Sequence, residues 1–299
     1  MVHIIIHILP QEIDQLEILM VNLKRSSMYL SKNDFHVEVQ LNLNLTDWFN
    51  SSIPKMFFVD KLLDIETLTK SWASTEFAWD DRGKVLGCND ARRNAIRKTK
   101  AEWIMYLDVD NILSQTFLGV ISILTKEFTY EKEKEFKIFC PETTRMWDST
   151  WDVITNERFL KEPAGHEYYD VRDPYSILLD DSDETWGQYR GNLRYVPGFK
   201  FAGWGTTIPS KLAKIIDVPD SLGPYGLDDT FIMMGCQVMQ TKGFIIHEYA
   251  IQNELVMENN LFRGNPYRDY LTNIDRRQEF LNNANKNFQP ELEKLNARL

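Results

Sequence analysis

Asp108 and Asp110, two aspartates separated by one residue, follow directly on the run Glu102-Trp103-Ile104-Met105-Tyr106-Leu107. Carboxylates at that spacing offer hard oxygen ligands to Mg²⁺ or Mn²⁺, and Mg²⁺ sites of this kind are completed by substrate phosphates and water. The chemistry indicated is a nucleotide diphosphate held through a divalent cation. An Asp-x-Asp string alone is common and reads equally well as a solvated turn. The apolar run ahead of it sharpens the first reading, because ligands of open α/β sheets bind beyond the carboxyl ends of the strands.

Four of the eight tryptophans, Trp147, Trp151, Trp186 and Trp204, fall in or just after a long aromatic stretch, residues 141–199, that has little periodicity. A segment of that kind reads as a binding loop, lid or small subdomain. Aromatic faces there can stack on sugar rings while neighbouring acids and arginines bond the hydroxyls. An aromatic minicore beneath a loop is the competing reading. Trp204 and Trp186 are the individual candidates for such a sugar-binding platform.

The elements that must position these groups follow from periodicity. Val2–Leu9 reads as a central strand, Gln11–Ser26 as a helix and Phe35–Leu45 as a second strand, a β-α-β opening. Met56–Val59 reads as a short strand and Ile65–Ser71 as a helix. Asn89–Lys100 is helical, with Arg93, Arg97 and Lys100 on one face, and Glu102–Leu107 is the strand that delivers Asp108. Further on, helices are expected at Thr116–Thr125, Lys211–Ile216 and Thr230–Lys242, a charged surface turn at Tyr130–Lys137, and short strands at Lys137–Cys140 and Phe244–His247. The tail Arg268–Leu299 is helical in composition.

With 299 residues and 43% hydrophobic content the chain can bury a substantial core. Its 44 acidic against 34 basic residues, net −10, argue against wrapping nucleic acid by charge neutralisation. Cys88, Cys140 and Cys236 lack metal-ligand spacing and read as reduced thiols of a reducing compartment. The first ten residues are broken by His3 and His7 and carry no basic leader, and nothing later approaches the ~18 apolar residues of a membrane span. A soluble, cytoplasmic protein is therefore expected, with the sequons at Asn44 and Asn50 as chance matches. His3, His7, His36 and His166 carry no supporting pattern.

Gly87, Ala91, Arg92, Ile96, Glu102, Ile104, Leu107, Asp108 and Asp110 together resemble, in register and without a gap, the nucleotide-sugar-dependent glycosyltransferases of the GT-A fold. The likeness is greatest to the inverting family 2 group that includes cellulose, chitin and hyaluronan synthases. Departures are Arg93 where Asn is usual, Ala95 and Ala101 where Gly is usual, and Asn111 where an acid is frequent. Phe201-Ala202-Gly203-Trp204-Gly205 and Tyr225-Gly226-Leu227-Asp228-Asp229-Thr230-Phe231 resemble the acceptor-side pattern of the same group, with Leu227 replacing its second Gly and Asp228 its Glu.

The resemblance implies an α/β fold with a mixed, mostly parallel central sheet flanked by helices, and a helical C-terminal extension. A catalytic domain over residues 1–257 would comprise a donor half (1–113) and an acceptor half (114–257), followed by the extension at 258–299. It implies Asp108 and Asp110 as ligands of Mn²⁺ or Mg²⁺, His247 as a further ligand to metal or diphosphate, and Arg92 beside the donor. It makes Asp229 the general base of an inverting transfer, with capping of the following helix as the bland alternative for Asp228 or Asp229. Arg263 or Arg268 could assist the leaving diphosphate. A UDP-sugar donor is the implied substrate; a glycan, a lipid-linked sugar, a protein or a hydroxylated DNA base all remain open as acceptor. Two other functions compete. A sugar nucleotidyltransferase needs a Gly-rich loop after the first strand, whereas residues 9–20 contain no glycine. A catalytically silent carbohydrate- or nucleotide-binding protein would be expected to have lost one of Asp108, Asp110, Asp229 or His247.

Overall fold

The computed structural model describes residues 1–8, 12–27, 30–41, 55–79, 88–129, 134–146, 193–196, 203–259 and 274–299. β1 (Val2–Ile8) is apolar at most positions and buried along nearly its whole length, as a central parallel strand must be. It pairs in parallel with β2 (Phe35–Leu41) on one side and β4 (Trp103–Leu107) on the other, and β2 pairs in parallel with β3 (Ala73–Trp79).

One face of this half is covered by α1 (Ile13–Ser26), whose Leu16, Leu19, Met20 and Leu23 recur at helical spacing and pack with Ile4, Ile6 and Val37. The connection from β2 to β3 is α2 (Lys55–Thr69). On the opposite face, α3 (Cys88–Lys98) sets Ala95 and Ile96 against Ile5, Ile104 and Tyr106. Alternation along β4 thus sends Ile104 and Tyr106 to the α3 side and Trp103, Met105 and Leu107 to the α1 side.

Beyond β4 the sheet becomes mixed. The remaining elements are β5 (Asn111–Leu113), α4 (Phe117–Glu127), β6 (Glu135–Met146), β7 (Leu193–Tyr195), β8 (Trp204–Pro209), α5 (Ser210–Ile216), a 3₁₀ turn (Asp220–Leu222), α6 (Asp228–Thr241), β9 (Ile245–Asn259) and α7 (Ile274–Arg298). Strand order is β3-β2-β1-β4-β8-β6-β9-β5, with β7 also on β9. β8 runs antiparallel to β4 and β6, β9 parallel to β6, and β5 and β7 antiparallel to β9. Most paired residues lie in the parallel ladders.

The β6–β9 ladder shifts register between Pro141 and Glu142, where the partner changes from Ile251 to Leu255. Pro141 has no N–H to donate, and such residues sit at ladder breaks. Glu254, inside the excursion, is buried and accepts hydrogen bonds from Ser114 Oγ and, at 2.5 Å, from Thr116 Oγ1. Burial raises its carboxyl above the usual range against those two bonds.

The structure departs from periodicity in identifiable places. Met56–Val59 is part of α2 rather than a strand, since a short apolar run fits either element until its length is known. The Phe244–His247 and Lys137–Cys140 strands are the beginnings of the long β9 and β6, and β6 takes up 135–137 of the expected surface turn. β3 carries no clean alternation and was legible only through its pairing with β2. The helix expected from Thr230 starts at Asp228. Among the described residues no helix is long and apolar enough to cross a membrane, and the three cysteines are free.

Asn22 of α1 links the helix to the edge strand that follows Asp110: its Nδ2 donates to Leu113 O at 2.9 Å and its Oδ1 accepts from Leu113 N at 2.8 Å, fully buried. Asn22→Ala leaves both backbone groups unpaired and is expected to lower stability by about 2–4 kcal/mol, read as a shifted urea midpoint at unchanged slope.

Candidate active site

β4 ends at Leu107, and Asp108 lies two residues beyond Tyr106 on the α3 side of the sheet. The chain then turns tightly, with Asn111 N donating to Asp108 O at 3.3 Å, and enters β5. Asp108 is half-buried, whereas Asp110 is 1% exposed.

β8 supplies the opposite wall. Between Met105 and Leu107 the β4–β8 register slips, so that two steps along β4 face three along β8, from Thr207 to Trp204. Gly205 takes up the bulge at φ +78°, a backbone state that glycine adopts without penalty. The bend sets Trp204 beside Leu107 and brings Gly203 over Asp108. Gly203 O accepts from Asp108 N at 2.7 Å and from Asn111 Nδ2 at 2.8 Å. A Cβ on Gly203 would stand 2.5 Å from Asp108 Oδ1, so the carboxylate occupies the room that the missing side chain leaves.

Arg92, on the inward face of α3, reaches both acidic motifs. Its Nη2 donates to Asp108 Oδ1 at 2.5 Å and its Nη1 to Asp228 Oδ2 at 3.1 Å. The guanidinium lies over the Tyr106 ring, 4.7 Å from its centroid. Burial, with the nearby Asp228 charge, keeps the Tyr106 phenol protonated by raising it well above its ordinary range.

Asp228 opens α6 after two residues at positive φ, Gly226 at +90° and Leu227 at +63°. Leu227 stands where the glycosyltransferase pattern has glycine, and it bears the cost of a left-handed conformation with a side chain attached. Asp228 does not cap the helix. Leu227 is the N-cap residue and makes no side-chain cap bond, and the Asp228 carboxylate goes to Arg92 instead. Asp229 Oδ1 accepts from Thr230 N at 2.6 Å and Thr230 Oγ1 at 3.2 Å. Burial and then the Asp228 charge push Asp229 up to about 6, against those two bonds and the Arg92 charge.

The turn ahead of Asp228 is held from two sides. Asn89 donates through Nδ2 to Gly226 O at 2.9 Å and Gly223 O at 3.3 Å, and its N donates to Pro224 O at 3.1 Å. From α7, Leu281 packs where a Gly226 side chain would stand, and Asn283 and Asn287 donate to Ser221 O at 3.1 and 2.9 Å.

The structure brings Asp108, Arg92, Trp204, Asp228 and Asp229 together around Gly203, and adds Asn89 and the bracing by α7, which the sequence reading did not single out. An asparagine at a helix start was the available signal for Asn89. The structure does not bring His247 to the carboxylates. His247 pairs with Lys137 near the beginning of β9, whereas the strand entered from Asp110 pairs at Glu258 near its end. Its neighbours are Tyr249, whose hydroxyl is 3.5 Å from Nδ1, and the Tyr195 ring. Trp186, Arg263, Arg268 and Gly87 lie outside the described residues. Arg93 and Arg97, expected to share one face of the helix, are paired within the chain: Arg93 with Asp90 and Asp220, Arg97 with Asp217 and Asp220. A cavity of about 530 Å³ lined by Lys100, Trp103, Phe136 and Lys214 lies at the other end of β4 and is separate from this site.

No family model matches the chain, and no curated protein matches it. Among solved structures it is similar to S. aureus TarS at TM-score 0.50 and 10% identity, over 86% of this chain and 36% of that one. It is equally similar to TarS 1-349 in complex with UDP-GlcNAc, TM-score 0.50 and 10% identity over 86% of this chain and 58% of that one. For TarS 1-349 in complex with UDP the values are 0.50, 10%, 87% and 61%. The chain thus spans about a third to three fifths of the TarS chains it matches. What is shared is the α/β fold of GT-A type.

Arg92→Ala is expected to destabilise the protein by about 3 kcal/mol, because it strands the buried Asp228 carboxylate; the half-exposed Asp108 contributes less. Arg92→Lys keeps the charge but not the fork that spans both acids, and should recover only part of the loss in the same unfolding titration.

Proposed function

We propose that the chain is a glycosyltransferase that moves a sugar from a nucleotide-diphosphate donor, a UDP-sugar, to an acceptor hydroxyl with inversion. The observation that carries this reading is the bridge from Asp108 through Arg92 to Asp228, which unites the donor-side and acceptor-side motifs in one site. The fold shared with TarS, whose structures contain UDP-GlcNAc and UDP, supports the same donor class.

Asp108 and Asp110 are the residues that would hold Mn²⁺ or Mg²⁺, and the donor set fits: both offer carboxylate oxygens, the ligands these hard ions take. When bound, the ion offsets charge on the departing diphosphate. The chain's own residues do the rest. Arg92 fixes the orientation of the Asp108 carboxylate, and Gly203 leaves the space it fills. Trp204, half-buried next to that wall, offers an aromatic face to a sugar ring. Asp229, held in one orientation by Thr230, removes the acceptor hydroxyl proton as that oxygen attacks the anomeric carbon. A base at about 6 is ionised at neutral pH yet retains proton affinity, which suits this role. The assignment of the acceptor among glycan, lipid-linked sugar, protein and hydroxylated DNA base rests on a screen.

The deciding assay is nucleotide release from uridine, guanosine and thymidine diphosphate sugars with Mn²⁺. UDP release that disappears in Asp110→Ala is the expected result; a folded protein that binds donors but turns none over would be a silent binding protein. Since Asp229 must be ionised, kcat/KM should fall as pH drops through about 6, and the residual activity of Asp229→Asn should lack that limb. Gly203→Ala displaces the Asp108 carboxylate and is expected to lower turnover on the order of 100-fold, with an unchanged circular dichroism spectrum.

A further inference from the structure

The opening residues of β1 and β2 gather a second group of ligand-type side chains, away from Asp108. His3 and His36 are register partners across the parallel ladder, so both project to one face, and Glu38, two residues along β2, projects there too. The two imidazole centroids are 4.8 Å apart, and one ligand atom from each of His3, His36 and Glu38 lies within 4.8 Å of the others. His3 is 3% and Glu38 8% exposed. Buried polar side chains are costly unless partnered, so the group calls for a reason.

Each of the three is anchored from behind. His3 Nδ1 is 2.9 Å from Thr99 Oγ1, His36 Nδ1 is 2.8 Å from Ser74 Oγ, and Glu38 Oε1 accepts from Gln40 Nε2. This leaves Nε2 as the nitrogen that each ring offers, and Oε2 on the carboxylate. His3 Nε2 is 2.8 Å from Glu38 Oε2 and yet has no hydrogen-bond partner of acceptable geometry, although it is buried. Ligand side chains whose second polar atom is held by an outer partner are the arrangement found around bound metal ions.

We propose that His3, His36 and Glu38 form a binding site for a borderline divalent cation of the Zn²⁺ type, with water completing its shell. Tetrahedral zinc with bonds of ~2.0–2.1 Å sets its ligand atoms about 3.3 Å apart. The observed spacings, from 2.8 Å up to 4.8 Å, bracket that value, so side-chain adjustment alone closes the site. Glu76 Oε2, 3.7 Å from His36 Nε2, adds a second negative charge at the exposed side. The position separates this site from the carboxylate pair. His3 is level with Ile104 in β4, and Asp108 lies four residues further, roughly 13 Å along the strand at about 3.3 Å per residue. An ion here would fasten β1 to β2 at the sheet end opposite the active site.

The test uses the full chain stripped with a chelator, then titrated with Zn²⁺ against a chromophoric competitor and, in parallel, with Co²⁺ read by its visible absorption. One Zn²⁺ equivalent is expected in both the wild type and Asp110→Asn, together with a rise in Tm on saturation. His36→Asn, the least buried of the three positions, and Glu38→Gln should each weaken Zn²⁺ binding by at least roughly 100-fold and abolish the Co²⁺ bands. Ser74→Ala should weaken it about 10–100-fold. The proposal is overturned if the wild type takes up no Zn²⁺, if His36→Asn, folded by its far-ultraviolet spectrum, binds as the wild type does, or if Asp110→Asn is the variant that loses the ion.

Discussion

Arg92 carries its charge at 7% exposure, and desolvating an ion to that degree costs several kcal/mol unless partners replace the water. Asp108 and Asp228 are those partners, and they come from opposite ends of the fold's construction: one from the close of β4, the other from the start of α6. The ring of Tyr106 beneath the guanidinium removes the remaining freedom. Satisfying one buried cation therefore fixes the distance between an Asp-x-Asp turn and an Asp-Asp turn that are more than a hundred residues apart. A lysine, with a single flexible ammonium, would not impose that distance.

The surrounding backbone is shaped to permit this bridge. Gly203 lets β8 approach the Asp108 carboxylate more closely than any side chain would allow, and the bulge at Gly205 supplies the bend that brings it there. On the far side, Gly226 and Leu227 turn the chain into α6 at positive φ, and only one of these residues does so without strain. Asn89 and α7 grip that turn through its carbonyls and through Leu281. Strain held at a site needs such over-determination to persist, which gives α7 a structural purpose in holding the turn ahead of Asp228 and not merely at the surface.

The placement of the candidate residues was legible where it depended on local spacing and hidden where it depended on register. An apolar run ending in Asp108 declares a strand end and the carboxylates beyond it, and the Asp228-Asp229 pair stands out through the residues on either side. The central β-α-β unit follows from periodicity for the same reason. Sequence could not say that β9 would run from Ile245 to Asn259, and that length is what carries His247 far from the turn it was expected to join. Nor could it say that His3 and His36, over thirty residues apart, become neighbours, since only the parallel pairing of β1 with β2 puts them side by side. The capping alternative for Asp228 is set aside for a related reason: a helix-opening aspartate is a cap by default, until a buried arginine from another segment competes for it.

Charge placement on α3 bears on what the site can receive. Arg92, Arg93 and Arg97 all have carboxylate partners within the chain, so the helix presents no free row of guanidinium groups to an acceptor. With a net charge of −10, long-range attraction of a polyanion to this face is weak, and it falls further with salt. Among the described residues, the Arg92 charge beside the turn is committed to Asp108 and Asp228, and it cannot be withdrawn without stranding both. The same buried arginine that joins the two acidic turns is thus the interaction whose loss would undo both.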